Sequence, residues 1–349
     1  MNMLIGTLMN KPASPAARPA GRSRRFSARL ANALAGLIAL APLFCHAQAE
    51  AGAETFSLRP AAHSANATRS MILDATRAGD RLVAVGERGV VLLSDDGGKQ
   101  WRQAANVPVA ATLTGVSFAD AKQGWAVGHW GVVLHTADGG ENWSRQRLDT
   151  GEDRPLFSVH FLDASHGIAV GLWSLMLETR DGGQSWDEVA LPAPPGESQA
   201  DANLMRIFGG PQGVLYVAGE RGTLLRSADG GQSWDYRPTG YRGSFWSGLA
   251  LDDGSVLLAG LRGNVYRSGD EGAHWSKVEG TPFSSITDLV LAGGKVVAVG
   301  LDGMTLESSD QGRSFHASQR EDRLSLTAAV ATGSGKVAVF SRGGVLPLQ

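Results

Sequence analysis

One short phrase occurs six times in this sequence, and its spacing strongly limits the possible folds. The phrase, which we call the box, reads Ser/Thr-x-Asp-x-Gly-x-x-Trp/Phe. Its six copies end at Trp101, Trp143, Trp186, Trp234, Trp275 and Phe315. Successive box aromatics are therefore 42, 43, 48, 41 and 40 residues apart. Such a period is typical of the four-stranded blade of a β-propeller.

The unit that ends at Trp143 shows what lies between two boxes. It reads LTGVSFADAKQGWAVGHWGVVLHTADGGENW and contains three apolar runs, Leu113–Phe118, Gly124–Gly128 and Gly131–Thr136. Short runs of β-branched and large apolar residues bounded by Gly, Asp and Asn predict strands, and a fourth strand is expected to start at the box aromatic. Helical periodicity is absent after residue 49. The predicted fold class is all-β.

The number of blades follows from the strands that begin each unit. Six first strands begin near Met71, Leu113, Leu156, Leu204, Phe245 and Ile286. A seventh unit has three predicted strands, Leu326–Ala331, Lys336–Phe340 and Gly344–Leu348, and no box. Because an open sheet edge invites aggregation, a fourth strand is needed.

The N-terminal part of the sequence offers a candidate for this missing strand. FSLRP, at Phe56–Pro60, matches WDYRP, at Trp234–Pro238, where a fourth strand begins. We therefore predict a seven-bladed β-propeller closed by an N-terminal strand that completes the last blade. Six blades with a C-terminal tail is the alternative.

The box residues suit a tight turn between the third and fourth strands. The Asp carboxylate is expected to accept hydrogen bonds from N–H groups two or three residues on, and the Ser/Thr hydroxyl to close the other side. The glycines can adopt positive φ, and the aromatic is expected to pack between neighbouring sheets. Six identical carboxylates around a ring cannot all serve one substrate, so we predict a structural role for Asp96, Asp138, Asp181, Asp229, Asp270 and Asp310.

The first 49 residues resemble a secretory signal. They contain six basic residues and no acidic one, and an apolar run, Leu30–Phe44, follows the basic stretch. That run is short for a membrane span, which needs about 20 residues. CHAQA provides small residues for cleavage after Ala47 or Ala49. The predicted domains are a signal peptide, 1–49, and a propeller, 50–349, that is exported to the periplasm; secretion and a retained membrane anchor are the alternatives.

Composition excludes several ligand classes for the exported part. Without residues 1–49 the chain has no cysteine, and its 26 basic and 34 acidic residues give a net charge of −8, which disfavours nucleic acid. His160 and His166 lack the close spacing of a zinc pair, and the boxes lack the alternating acids of a calcium loop. No phosphate or dinucleotide fingerprint is present. We predict no metal and no cofactor.

The stretch GWAVGHWGVVLHTADGGENW, residues 124–143, resembles the photosystem II assembly and stability factor family. Such boxes, known as Asp boxes or bacterial neuraminidase repeats, also occur in sialidases and sortilin-type receptors. The resemblance to the assembly-factor family covers about Phe56 to Gln349. It implies a seven-bladed propeller that engages a membrane-protein client through an arginine-rich surface patch.

The turns between second and third strands are expected on the face opposite the boxes. Their third positions, which we call the rim, are Arg88, Trp130, Trp173, Arg221, Arg262, Asp302 and Arg342. Arg and Trp dominate binding hot spots, and the four arginines are the best match to the implied patch. We predict that a monomeric chain binds a protein client through the six rim residues other than Asp302. The alternative is that exposed turns simply favour long polar side chains.

A sialidase-like glycoside hydrolase is the alternative function. The rim arginines would hold a sugar carboxylate, Tyr241 or Tyr216 would be the nucleophile, and Glu87 or Glu220 its partner. No pair of acids stands out from the turns, so we predict a non-catalytic protein. The longest insertion, Leu191–Asn203, is predicted to be a flexible loop that could dock a partner.

Overall fold

The computed structural model describes residues 59–149 and 151–348, and these residues form seven antiparallel sheets. In each sheet every strand pairs with the next strand in the chain. Blades one to three contain β1 (Ile72–Ala78), β2 (Arg81–Gly86), β3 (Val91–Ser94), β4 (Arg102–Gln103), β5 (Leu113–Phe118), β6 (Gly124–Gly128), β7 (Val133–Thr136), β8 (Ser144–Arg147), β9 (Leu156–Phe161), β10 (Gly167–Gly171), β11 (Met176–Thr179) and β12 (Asp187–Glu188).

The remaining blades continue the same order. Blades four to six contain β13 (Leu204–Gly209), β14 (Leu215–Gly219), β15 (Leu224–Ser227), β16 (Asp235–Tyr236), β17 (Phe245–Ala250), β18 (Val256–Gly260), β19 (Val265–Ser268), β20 (Ser276–Lys277), β21 (Ile286–Ala292), β22 (Lys295–Gly300), β23 (Met304–Ser308) and β24 (His316–Gln319). Blade seven contains β25 (Leu326–Ala331), β26 (Val337–Ser341) and β27 (Gly344–Val345). The predicted seven blades are confirmed, and the six-blade alternative is wrong.

Short 3₁₀ turns account for the helical residues of the described part. They are Ala67–Arg69, Glu87–Gly89, His129–Gly131, Leu172–Ser174, Pro211–Gly213, Glu220–Gly222, Leu261–Gly263 and Leu301–Gly303. Six of them link the second and third strands of blades one to six. Because one of them ends at Gly131, β7 begins two residues later than predicted, at Val133. Within the described residues, no helix is long and apolar enough to cross a membrane.

Each pair of neighbouring blades shares its own hydrophobic cluster. Between blades one and two, for example, Val83 and Leu93 pack with Val116 and Trp143. The seam between blades seven and one is built in the same way, and there the ring of Trp101 lies edge-on to that of Phe340, with centroids 5.2 Å apart. The apolar alternation of the strands therefore buries both faces of every blade and closes the ring.

The boxes form the predicted turns with one difference in hydrogen bonding. Asp138 Oδ1 accepts from the N–H groups of Glu141 and Asn142, both at 3.0 Å. These donors are three and four residues on, whereas the prediction was two or three. The N–H two residues on belongs to Gly140, and it donates to Thr136 Oγ1 at 3.0 Å instead. The Thr136 hydroxyl in turn donates to Asp138 Oδ1 at 2.8 Å.

Asp96 and Asp310 repeat both carboxylate bonds, whereas Asp181, Asp229 and Asp270 accept only from the N–H four residues on. The box aromatics lie in the seams as predicted. Hydrogen bonds from Ser185 and Ser233 lower the pKa of Asp181 and Asp229, respectively, to about 2. The carboxylates are therefore ionised at neutral pH and committed to their own turns, which fits their predicted structural role.

Blade seven has three strands within the described residues, and its predicted fourth strand falls mostly outside them. Of the segment 56–60, only Arg59 and Pro60 are described, and neither lies in a strand. The next residues run beside blade one, where the Ala61 N–H donates to the Val107 carbonyl at 3.0 Å. β27 ends at Val345 rather than Leu348, since Pro347 has no N–H for a ladder. Closure by the N-terminal strand stays a prediction, and the signal segment 1–49 also lies outside the described residues.

Deleting Thr55–Pro60 tests the closure. If this segment covers the edge of blade seven, its removal exposes β27, and we expect aggregation or a less cooperative thermal transition. Deletion of residues 50–54 is the control and should change neither property. Calorimetry and light scattering measure both, and a truncated chain that melts like the chain 50–349 would contradict the closure.

Replacing Asp138 by Ala tests the box. The N–H groups of Glu141 and Asn142 lose their acceptor, and we expect the free energy of unfolding to fall by about 1–3 kcal/mol. Asp187→Ala, an exposed Asp outside any box, is the matched control. Chemical denaturation measures the difference; equal stability of the two variants would contradict the proposed role of the box carboxylate.

Candidate binding face

The rim residues lie on one face of the ring. Successive strands run antiparallel, so the turns between second and third strands lie at the opposite end of each blade from the boxes. Six rim side chains are exposed, namely Arg88, Trp173, Arg221, Arg262, Asp302 and Arg342, and Trp130 is half-buried against the seam of blades one and two. In the described part, no hydrogen bond, ion pair or aromatic contact joins two predicted rim side chains. The rim is a series of separate points rather than one pocket.

Six of the seven rim residues have a left-handed backbone. The φ angles of Arg88, Trp130, Trp173, Arg221, Arg262 and Asp302 lie between 53° and 60°. This conformation costs a residue with a side chain about 1 kcal/mol, so surrounding contacts must hold it. Arg342 differs because it lies in the two-residue link between β26 and β27.

Hydrogen bonds to the next blade hold several of these strained residues. The Trp130 N–H donates to Asp153 Oδ1 at 2.7 Å, the Trp173 N–H to Asn203 Oδ1 at 3.0 Å, and the Arg262 N–H to Ser285 Oγ at 2.9 Å. Each acceptor lies one to three residues before the first strand of the next blade. The backbone beneath these rim side chains is thus fixed between two blades.

The insertion Leu191–Asn203 contacts the rim at two places. Arg221 forms an ion pair with Asp201, and Glu197 Oε2 lies 4.0 Å from Arg221 Nη2. The Ser174 N–H, next to Trp173, donates to the Ala202 carbonyl at 2.8 Å. The end of this predicted flexible loop is therefore anchored between blades three and four, and Arg221 is already occupied by the chain's own carboxylates.

Phe283 is a rim-face residue that the repeat pattern did not reveal. It lies between blades five and six, and 79% of its surface is exposed. The Arg262 Cζ lies 5.8 Å from the centroid of its ring. The only signal in the sequence is a large apolar residue in an otherwise polar and turn-forming stretch, GTPFSS.

The central channel contains a second set of polar residues that sequence reasoning missed. The third or nearby residue of a first strand accepts a hydrogen bond from the first strand of the next blade. Asp74 Oδ2 accepts from the Val116 N–H at 2.9 Å, and Asp288 Oδ2 from the Ala329 N–H at 3.0 Å. These side chains satisfy backbone donors at the centre of the ring.

Arg206 interrupts this pattern and crosses the channel. Its Nη1 donates to Asp74 Oδ1 at 2.9 Å, and its Nη2 lies 3.9 Å from Asp288 Oδ1. Burial raises the pKa of Asp288 even with Arg206 beside it. Burial also lowers the pKa of the neighbouring His160 to about 4, so this histidine is neutral at pH 7. The cluster links blades one, four and six.

The two tyrosines of the hydrolase alternative are engaged in packing and hydrogen bonding. Tyr216 is buried, and its hydroxyl donates to the Glu271 carbonyl at 3.1 Å. The Tyr241 hydroxyl donates to the Leu261 carbonyl at 3.2 Å and accepts from Asn264. Burial raises the pKa of both hydroxyls, which is the wrong direction for a nucleophile.

The two candidate glutamates also serve the backbone. Glu87 Oε1 accepts from the Met71 N–H at 3.1 Å, and Glu220 Oε2 from the Asn203 N–H at 3.3 Å. Both cap the start of a first strand. Among residues 59–149 and 151–348, no three His, Cys, Asp or Glu side chains are grouped so that they could hold a metal ion.

The fold defines this chain as a seven-bladed β-propeller with a repeated turn box. The family model described as "Photosynthesis system II assembly factor YCF48" matches residues 66–152 and 150–300, and the chain belongs to this family. No curated protein matches the sequence.

Solved structures share the fold at low sequence identity. A structure titled "YCF48 bound to D1 peptide" is 19% identical, with a TM-score of 0.64, and the match covers 80% of this chain and 92% of that chain. YCF48 from Cyanidioschyzon merolae is 20% identical, with a TM-score of 0.62 and coverage of 83% and 97%. The WD40 propeller of Doa1 is 15% identical, with a TM-score of 0.60 and coverage of 84% and 95%.

Replacing Arg206 by Met tests the channel cluster. The variant leaves Asp74 and Asp288 without their cation, and we expect a loss of about 3–5 kcal/mol at neutral pH. A carboxyl whose pKa is raised in the folded state binds its proton more tightly there, so stability falls as pH rises and the deficit should shrink at about pH 5. Urea unfolding at both pH values measures this.

Arg145→Met, at an exposed position of β8, is the control for this experiment. Its free energy of unfolding should be close to that of the original chain at both pH values. A deficit of Arg206→Met that stays constant or grows on acidification would contradict the electrostatic account.

Proposed function

We propose that this chain is an exported, non-catalytic assembly or stability factor that binds a protein client of a membrane complex through its rim. The observation that carries this proposal is the display on one face of three arginines and two tryptophans at equivalent left-handed turn positions, with Arg342 in the corresponding turn of blade seven. Membership of the YCF48 family supports the class of function. The relative titled "YCF48 bound to D1 peptide" supports a protein segment as the ligand class.

The charges favour an acidic segment of the client. The exported part has a predicted net charge of −8, so the rim arginines are local positive points on an acidic protein. Guanidinium groups bind carboxylates through two parallel hydrogen bonds, and complementary charge speeds association. Trp173, which is 53% exposed, supplies an apolar contact.

The fixed backbone of the rim favours binding over catalysis. Because turns such as those at Trp130 and Arg262 are held to the next blade by hydrogen bonds, less conformational entropy is lost when a client orders their side chains. The tyrosines and glutamates that a hydrolase would need already form hydrogen bonds to backbone groups of the propeller. The signal segment supports export to the periplasm, where we propose that the chain acts as a monomer.

Charge reversal of the rim tests this proposal. Changing Arg88, Arg221, Arg262 and Arg342 together to Glu should preserve folding, since a substitution of an exposed residue usually changes the free energy of unfolding by no more than about 0.5 kcal/mol. We expect capture of the membrane client from the host to fail. Reversal of any one of these arginines should weaken capture, and the loss should depend on salt concentration. Trp130→Ala and Trp173→Ala should also weaken capture, but this loss should depend less on salt.

The matched control reverses four exposed lysines away from the rim, Lys99, Lys122, Lys277 and Lys336. Capture by this variant should equal that of the original chain. Capture that survives reversal of the rim would shift attention to the Leu191–Asn203 loop. Turnover of a fluorogenic sialoside by the original chain would refute the non-catalytic proposal. Cell fractionation tests export, and mass spectrometry of the mature protein shows where its N-terminus begins.

A further inference from the structure

Arg262 differs from the other rim arginines because a large exposed aromatic side chain lies beside it. Phe283 is 79% exposed, and its ring centroid lies 5.8 Å from the Arg262 Cζ. Within the described residues, no other rim arginine lies over an aromatic ring. One face of the guanidinium is therefore directed at a ring whose surface is largely open to solvent.

The backbone around Phe283 is fixed although its side chain is exposed. The Pro282 carbonyl packs against Gly263, at φ +70°, where a Cβ would collide with it. Ser284 Oγ donates to the Leu301 carbonyl at 2.7 Å, and Ser285 Oγ accepts from the Arg262 N–H at 2.9 Å. Residues on both sides of Phe283 are thus tied to the turns of blades five and six, so the backbone that carries the ring is fixed beside Arg262.

The Arg262 guanidinium is also open to a carboxylate. In the part of the chain that the structure describes, its side chain forms no ion pair and no hydrogen bond. Arg221, one blade earlier, is the contrast, because Asp201 and Glu197 of the insertion already surround its guanidinium. Arg262 and Arg221 occupy equivalent positions, but only the Arg221 guanidinium already has carboxylate partners within the chain.

We propose that Arg262 and Phe283 form the main docking point for the client, and that they take an acidic protein segment in which an apolar residue adjoins the carboxylate. This inference rests on the proposed function of the rim. The guanidinium edge binds the carboxylate while the Phe283 ring covers its face, and the adjoining apolar residue packs on the rest of that ring. Arg and aromatic residues, Phe included, are enriched in protein interfaces.

The insertion limits binding at Arg221. A client carboxylate that binds this arginine competes with Asp201, which already accepts from its Nη2. Arg221 and Asp201 are each about half exposed, with side-chain exposures of 51% and 48%. Exposed ion pairs are weak, so the competition changes affinity by a few-fold at most.

Three blocked peptides of equal length test the docking point: a Glu-Phe repeat, a Gln-Phe repeat and a Glu-Ala repeat. Each is titrated into the exported chain and followed by amide chemical shifts and calorimetry. We expect the Glu-Phe peptide to bind most tightly and to shift the amides of Arg262 and Phe283. Arg262→Ala and Phe283→Ala should each weaken its binding by about fivefold or more.

Matched controls lie on the same or the next blade but away from the rim. Lys277→Ala, on the outer strand of blade five, and Leu291→Ala, which removes a 40% exposed apolar side chain at the other end of β21, should bind as the original chain does. Asp201→Asn should strengthen binding by up to a few-fold, and Arg221→Ala should abolish this gain. Arg262→Lys and Phe283→Tyr keep the site folded, and only the lysine variant should lose affinity, since it lacks the planar fork.

Three results would overturn the docking point. The first is that all three peptides bind equally or that none of them binds. The second is that Arg262→Ala and Phe283→Ala bind the Glu-Phe peptide with unchanged affinity, and the third is that Arg221→Ala loses more affinity for it than Arg262→Ala does. If the Arg262→Ala, Phe283→Ala double variant captures the membrane client normally, the docking point is wrong while the proposed function stands. If the original chain captures no client, both are wrong.

Discussion

The whole structure depends on burying both faces of every blade. A single blade cannot do this alone, so each seam takes side chains from two blades, as where Trp125 of blade two stacks on Phe161 of blade three with ring centroids 3.5 Å apart. The ring must also close, and Trp101 on Phe340 provides that contact between blades one and seven. The boxes serve the same end, because each turn fixes an aromatic residue at a seam.

Ring closure has a cost at the centre, where seven first strands converge on a narrow channel. Their backbone donors there need acceptors, and Asp74 and Asp288 provide them for the next blade. Two buried carboxylates would repel each other, and Arg206 compensates both from the other side of the channel. The ionic cluster is thus a consequence of the architecture rather than a separate site. The client binding that we propose is assigned instead to the rim, where the residues are exposed.

The sequence was sufficient for local features and insufficient for contacts between distant residues. The bounds of β5, β6 and β25 were predicted correctly because turn residues end the apolar runs at both sides. The exposed rim positions followed from the repeat. The ion pair of Arg206 with Asp74 joins residues 132 positions apart, and no local pattern signals it. The stacking of Phe283 on Arg262 likewise depends on packing of the Pro282 carbonyl against Gly263.

The rim residues are harder to explain as ordinary turn residues than as binding residues. Glycine adopts a left-handed backbone without penalty, and Asn or Asp adopts it more easily than most other residues. Two of the rim positions with a left-handed backbone are occupied by Trp130 and Trp173, and Trp173 is 53% exposed. A preference of exposed turns for long polar side chains does not account for these two residues. Gln212, in another turn with φ 59°, shows that an ordinary polar residue meets the backbone requirement. Large aromatic and guanidinium groups held at a strained position on one face therefore support the proposed role of the rim in binding a partner.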